Sequence, residues 1–235
     1  MSARVGVVLS GCGVQDGTEI HEAASVLISL DRRGASVVCM APSFAQADVV
    51  NHLTGKPVPN EHRNVLEESA RIARGKISDL ASVSADDLDA LIFPGGFGVA
   101  KNLSDFATKG ADCTVRPDVA RLIQQMHAAK KPIGLACIAP ILAAKVLGGD
   151  KREPKLTIGA DPQTASAIEA MGGRHHNVGP AEVFIDEENR LASTPCYMND
   201  VGPWVVFQGA EKLVEEILRL AGDPASLVRG HMANL

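Results

Sequence analysis

Strand-like and helix-like stretches alternate along this chain, and that alternation restricts the fold more than any single motif does. Val5 to Ser10 is a short apolar run that ends in Gly11-Cys12-Gly13. Ile20, Ala23, Ala24, Leu27 and Leu30 then recur at helical spacing until Gly34 stops the pattern. Ser36 to Ala41, Asp89 to Phe93 and Ile133 to Ala136 are further β-type runs. Asn64 to Arg74, Pro117 to Lys130, Ile138 to Val146 and Thr164 to Met171 read as helices, and Leu213 to Leu220 as a last amphipathic one. Leu156-Thr157-Ile158 reads as a strand, and Glu182–Ile185 with Arg190–Thr194 as a hairpin. The rest of 43–80 is mixed and polar, with Asn51 to Gly55 reading as a turn, and 97–116 is loop-rich.

Such alternation demands a parallel sheet with right-handed crossovers and helices on both faces. The expected fold is α/β, a three-layer sandwich around a mostly parallel sheet. Apolar residues make up 46% of the chain and aromatic ones only 3%, so Ala, Val, Ile and Leu carry the core. That usage suits buried parallel strands and leaves few rings for stacking on bases or sugars. No repeat, linker or composition break divides the chain. Residues 1–222 are expected to form one domain, and 223–235 a loosely held C-terminal tail.

Several partner classes are excluded on charge and pattern. Lys and Arg total 23 against 28 Asp and Glu, a net charge of −5 without a basic stripe, so no nucleic-acid partner is expected. No apolar run approaches the roughly 18 residues of a membrane-spanning helix, so no membrane partner is expected either. Met1 to Arg4 passes straight into Val5 to Leu9, which leaves no room for a signal peptide. The expected location is cytoplasmic, or the mitochondrial matrix if an import sequence has been removed. The five cysteines, at 12, 39, 113, 137 and 196, are odd in number and lack a CxxC, which favours reduced thiols. No His/Cys cluster has zinc spacing, and Gly11-Cys12-Gly13 is a lone GxG rather than a nucleotide motif. Neither a metal nor another cofactor is expected.

Ligands of open α/β sheets bind beyond the carboxyl ends of the strands. Three glycine-containing strand ends therefore matter: Ser10 to Gly13, Pro94-Gly95-Gly96, and Gly134 to Pro140. In the third, a strand ends at Ala136, Cys137 follows at once, and a helix begins with small residues. This is the layout of a nucleophile elbow, with the sulfur above the sheet edge at a helix N-terminus that favours the thiolate. The alternative is a buried cysteine packing as a small hydrophobe, which suits Cys39. Gly95 and Gly96 have no β-carbon to block a substrate oxygen. Their N–H groups, with that of Ile138, could line an oxyanion hole; a tight turn explains the glycines equally well.

The residues also carry a resemblance. Ser10-Gly11-Cys12-Gly13, Asp16 to Ala23, Arg63 to Leu66, Phe93 to Gly98, Ala100 to Ser104 and Cys137-Ile138-Ala139-Pro140 resemble the ElbB family. Ala70 to Gly75 and Thr194-Pro195 fit as well, and the match covers about residues 4 to 222. That family belongs to the class I glutamine-amidotransferase-like superfamily, with the PfpI-type proteases and the Parkinson-linked deglycase. The resemblance implies a flavodoxin-like fold, a homodimer, and glyoxalase chemistry on small 2-oxoaldehydes without glutathione, metal or cofactor. It makes Cys137 the nucleophile and places Glu22 where the superfamily keeps a carboxylic acid beside it. On the residues alone, Glu22 lies on the polar side of its helix and Glu19 borders the apolar stripe. Glu19 also stands three residues after Asp16, as in an N-terminal capping box. Glu22 is favoured, and Glu19 stays open.

Departures from the pattern narrow the chemistry. Ile138 stands where PfpI-type proteases have histidine after the cysteine. Leu156 to Gly159 supplies no histidine where the deglycase has one. Thr194-Pro195-Cys196 stands in place of the His-x-Glu pair of glutamine amidotransferases. Loss of an imidazole base removes a factor of roughly 10²–10⁴ from amide hydrolysis. His175 and His21 are the remaining histidines that could approach the site, and both read more simply as solvated. The leading expectation is therefore a glyoxalase of the cofactor-free type, with a redox-sensing thiol protein or an amide hydrolase using another base as alternatives.

Overall fold

Val5 and Val7 of the first strand pack into one hydrophobic cluster and Val8 into another, so that strand must be covered on both faces. The computed structural model describes residues 2–222, and the expected tail at 223–235 lies outside the described residues. Seven strands form one sheet: β1 (Arg4–Val8), β2 (Ser36–Ala41), β3 (Ser78–Asp79), β4 (Ala90–Phe93), β5 (Ile133–Ala136), β6 (Phe184–Asp186) and β7 (Leu191–Thr194). Their order is β6-β7-β5-β4-β1-β2-β3, and every pair is parallel except the β6–β7 hairpin.

The helices are α1 (Ile20–Arg32), α2 (Val65–Ile72), α3 (Phe97–Lys101), α4 (Phe106–Lys109), α5 (Pro117–Ala128), α6 (Pro140–Gly148), α7 (Pro162–Ala170) and α8 (Pro203–Leu220). On one face, Ala23, Val26 and Leu30 of α1 and Val206, Leu213 and Ile217 of α8 cover Val5, Val7, Ile92 and Ala136. On the other, Val119, Leu122 and Met126 of α5 and Ile141 and Leu142 of α6 cover Val8, Leu91, Phe93 and Leu135. Each of the buried Val, Leu, Ile, Phe and Met side chains contributes about 1.5–3 kcal/mol, so the three layers are held mainly by apolar burial. The architecture is the expected flavodoxin-like α/β/α sandwich.

Three local readings change. The strand expected at Leu156-Thr157-Ile158 shrinks to Lys155–Leu156, which pairs with Arg174–His175 outside the central sheet. The N–H of Thr157 donates instead to Ser193 Oγ, a side chain standing in for a ladder partner. The helix expected from Ile138 begins at Pro140, because residues 137–139 form the turn and proline suits a first helical position. The loop-rich 97–116 contains the short helices α3 and α4.

From β1 the chain moves through β2 to β3 on one side, and from β4 through β5 to β7 on the other. The loops after β1 and β4 therefore part above their strand ends and leave the crevice typical of a topological switch point. Glu22 comes from the segment after β1, Gly95 from the one after β4, and Cys137 from the one after β5. Among the described residues, no helix is long and apolar enough to cross a membrane.

Candidate active site

The chain turns sharply where β5 ends. Cys137 has φ of 58°, a left-handed conformation that a residue with a β-carbon adopts at a cost of about 1–2 kcal/mol. Its N–H donates to Thr194 O at 2.9 Å, which ties the turn to the neighbouring strand β7. The strain lifts the side chain above the sheet edge, where the N–H groups of Gly96 and Ile138 hydrogen-bond to the sulfur. Cys137 is only 8% exposed, and that exposed surface opens onto a cavity.

Glu22 sits in the first turn of α1 and is fully buried. Its Oε2 accepts from the Gly95 N–H at 2.8 Å and its Oε1 from the Tyr197 N–H at 3.4 Å. The same carboxyl shares a hydrogen bond with the Cys137 thiol. A β-carbon on Gly95 would lie 2.4 Å from Cys137 Cβ and 2.7 Å from Glu22 Oε2, so only glycine lets these groups meet. Gly96, at φ of 97°, brings its backbone against that of Gly17 to Glu19 and aims its N–H at the sulfur.

Glu19 does different work. Its side chain accepts from the Glu22 N–H at 2.7 Å, which makes Glu19 the N-cap of α1. The capping box expected between Asp16 and Glu19 is absent, since Asp16 Oδ2 accepts from Val50 N–H instead. Glu19 is 8% exposed and lines the cavity without a bond to the sulfur. Of the three N–H groups expected to hold an oxyanion, those of Gly96 and Ile138 point at Cys137. That of Gly95 does not serve this way, because it is already donated to Glu22.

Burial, then the Glu19 charge, raises the Glu22 carboxyl to about 7, against the lowering pull of its hydrogen bonds. The N-terminal end of a helix stabilises a carboxylate by about 0.3–1 kcal/mol, far less than this shift represents. Burial, then the Glu22 charge, likewise pushes the Cys137 thiol well above its ordinary value. A freely ionised thiolate, favoured by its helix N-terminus, is therefore not what the site holds. Two buried acids face each other, and among the described residues no cation compensates them. Below about pH 7 the pair carries two protons; above it, the remaining proton stays on sulfur and is donated to the Glu22 carboxylate. When that proton sits on Glu22, the thiolate has three hydrogen-bond donors.

Tyr197 is the residue that sequence reasoning missed. It follows Thr194-Pro195-Cys196 beyond β7, lines the cavity, and its phenol is 2.8 Å from His21 Nδ1. It is the chain's single tyrosine, and its place after a superfamily motif position was the available signal. His21 is turned to this phenol rather than to Cys137, with its side chain 60% exposed. His175 Nε2 accepts from Ile158 N–H at 3.4 Å and does not reach the cavity. No imidazole lines the cavity among the described residues.

No protein-family model matches the chain. The human protein named glutamine amidotransferase-like class 1 domain-containing protein 3, mitochondrial, is 48% identical over 230 residues, covering 94% of this chain and 84% of the human one. A crystal structure of an isoprenoid biosynthesis protein with an amidotransferase-like domain, from Ehrlichia chaffeensis, superposes with a TM-score of 0.87 at 36% identity. It covers 93% of this chain and 99% of its own. Drosophila melanogaster DJ-1beta, at 19% identity and a TM-score of 0.55 over 94% of this chain and 97% of its own, shares the fold. The human relative's name does not support the cytoplasmic expectation and agrees with the mitochondrial alternative.

Proposed function

This chain belongs to the ElbB family of class I glutamine amidotransferase-like proteins, and on that premise we propose that it is a glyoxalase working without glutathione, metal or cofactor. The Cys137 thiol passes its proton to the Glu22 carboxylate as sulfur adds to the aldehyde carbon of glyoxal or methylglyoxal, forming a hemithioacetal. Gly96 and Ile138 N–H groups hold the new oxyanion until Glu22 protonates it. Glu22, now a carboxylate, removes the proton on that carbon and returns it to the adjacent one through an enediol. The hydroxyl proton passes between the two oxygens, leaving a 2-hydroxyacyl thioester on Cys137. Water hydrolyses the thioester to a 2-hydroxy acid and restores the thiol. One oxoaldehyde and one water give one hydroxy acid, with no oxidant or reductant.

The observation that carries this reading is the buried Glu22 carboxyl, raised by burial to about 7 and hydrogen-bonded to Cys137, whose cavity no imidazole lines among the described residues. A group with a pKa near the working pH both accepts and returns a proton, and such catalysis is worth roughly 10²–10⁴-fold. Amide hydrolysis, which needs a base to activate water and an acid for the amine, has less support here. A redox-sensing thiol has less too, because Cys137 is buried and its thiol raised. By family resemblance the protein is a homodimer, and the human relative's name favours a mitochondrial location.

The test is conversion of glyoxal to glycolate in metal-free buffer. Wild type converts it, with kcat/KM rising as pH passes upward through about 7, where the Cys137–Glu22 pair loses its first proton. Cys137→Ala converts none. A Cys137→Ala protein as fast as wild type ends the proposal.

A further inference from the structure

The cavity above Cys137 has a volume of about 700 Å³. A water molecule occupies roughly 30 Å³ of the liquid, so glyoxal or methylglyoxal, with four or five heavy atoms, leaves most of this space unfilled. Cavities of roughly 300–1,000 Å³ hold much larger organic molecules. The wall is apolar on several sides: Val14, Phe97, Phe106, Ile138, Ala167 and Met198 all line it. Val14 is 38% exposed and Phe97 55%, although neither exposure helps the fold. Large apolar side chains gathered at the mouth of a cavity mark a surface that a ligand or a partner covers, and here they continue into the cavity that holds Cys137.

The charge in the same cavity has one sign. Glu19 and Asp161 contribute carboxylates, and no Lys, Arg or His lines the wall among the described residues. Asp161 caps α7, where hydrogen bonds from Thr164 hold its carboxyl below the usual range and keep it ionised at neutral pH. An anionic ligand therefore meets like charge without a compensating cation.

Building on the glyoxalase reading, we propose that the preferred substrate is an uncharged 2-oxoaldehyde bearing an apolar chain of about six carbons, with the chain lying against Phe97, Phe106 and Ala167. The oxoaldehyde head reacts at Cys137 as glyoxal does, with the same balance of protons and water. Burying each added methylene is worth about a fourfold gain, so kcat/KM climbs along a straight-chain series until the cavity fills.

Two measurements separate this inference from the one beneath it. In the first, wild-type protein is given glyoxal, methylglyoxal and the straight-chain C8 2-oxoaldehyde. A rise in kcat/KM of about a hundredfold or more from methylglyoxal to the C8 compound supports the proposal, and a flat or falling series overturns it. In the second, unreactive 2-octanone, acetone and octanoate are tested for protection of Cys137 against iodoacetamide, read by peptide mass spectrometry. Protection by 2-octanone at concentrations where acetone and octanoate fail, weakened in an Ala167→Phe protein, supports the cavity assignment even if no aldehyde is turned over; that combination removes the glyoxalase reading alone. No protection by 2-octanone, or equal protection by octanoate, overturns the assignment. The wild-type comparison stands whether or not Ala167→Phe folds.

Discussion

Cys137 and Cys196 invite a side-by-side reading because the chain builds them almost alike. They follow neighbouring parallel strands in register, with Ala136 of β5 opposite Thr194 of β7. Both have a positive φ, 58° and 45°, both are buried, and burial raises both thiols well above their ordinary value. Yet Cys137 has Gly96 and Ile138 N–H groups aimed at its sulfur and faces the cavity. Cys196 is fully enclosed, does not line the cavity, and has the Thr194 hydroxyl as its hydrogen-bond partner. Backbone strain and a perturbed thiol are thus common to both. Backbone donors and an open approach distinguish the candidate nucleophile.

The largest effect should come from alkylating the two thiols in the native protein. Iodoacetamide reaches Cys137 through the cavity, whereas Cys196 reacts only after local opening of the structure. Peptide mass spectrometry over time should show Cys137 labelled on the order of a hundredfold faster. Equal rates would break the comparison and return Cys137 to the status of a core cysteine.

A second test removes the acid that only Cys137 touches directly. The Glu22 carboxyl is raised from 4.5 to about 7, so the folded state prefers it protonated. Its favourable contribution is complete below pH 4.5 and is lost as pH rises through about 7. At pH 8 the buried charge costs up to about 3 kcal/mol. Glu22→Gln keeps an acceptor for Gly95 and carries no charge. Its melting temperature should exceed that of wild type by up to about 6–12 °C at pH 8, closing toward zero at pH 4.5. A gap that does not change with pH would mean the carboxyl is not held near 7.

The fold was legible because it rests on local periods. Ser36–Ala41 and Ile133–Ala136 match their strands residue for residue, and helix α1 starts where Ile20 opens the apolar repeat. Thr157 departed from its β-like run because Ser193, 36 residues away in sequence, took its N–H. In the site, the elbow at Cys137 was visible as a strand running into small residues. The place of Glu22 was less so, since its position on the polar side of α1 argues for solvent. It is buried because the first turn of α1 reaches past the sheet edge to meet Gly95 and Tyr197, 73 and 175 residues distant in sequence. The commitment of the Gly95 N–H and the contact of Tyr197 with Glu22 both depend on such long-range meetings, and no local periodicity encodes them.

The smallest effect sharpens the comparison from the other strand end. Beyond Cys196, β7 reaches the site through Tyr197, whose N–H donates to Glu22 and whose phenol bonds to His21. Tyr197→Phe leaves the backbone donor in place and removes only a hydroxyl bonded to an imidazole that is itself 60% exposed. Such a hydrogen bond is worth about 0.5–1.5 kcal/mol, so kcat/KM for glyoxal should fall by no more than about tenfold, with the pH dependence near 7 unchanged. A hundredfold loss in kcat would mean that the phenol moves a proton in the reaction. The end of β7 would then share the chemistry that the proposed mechanism gives to α1 and the turns after β4 and β5.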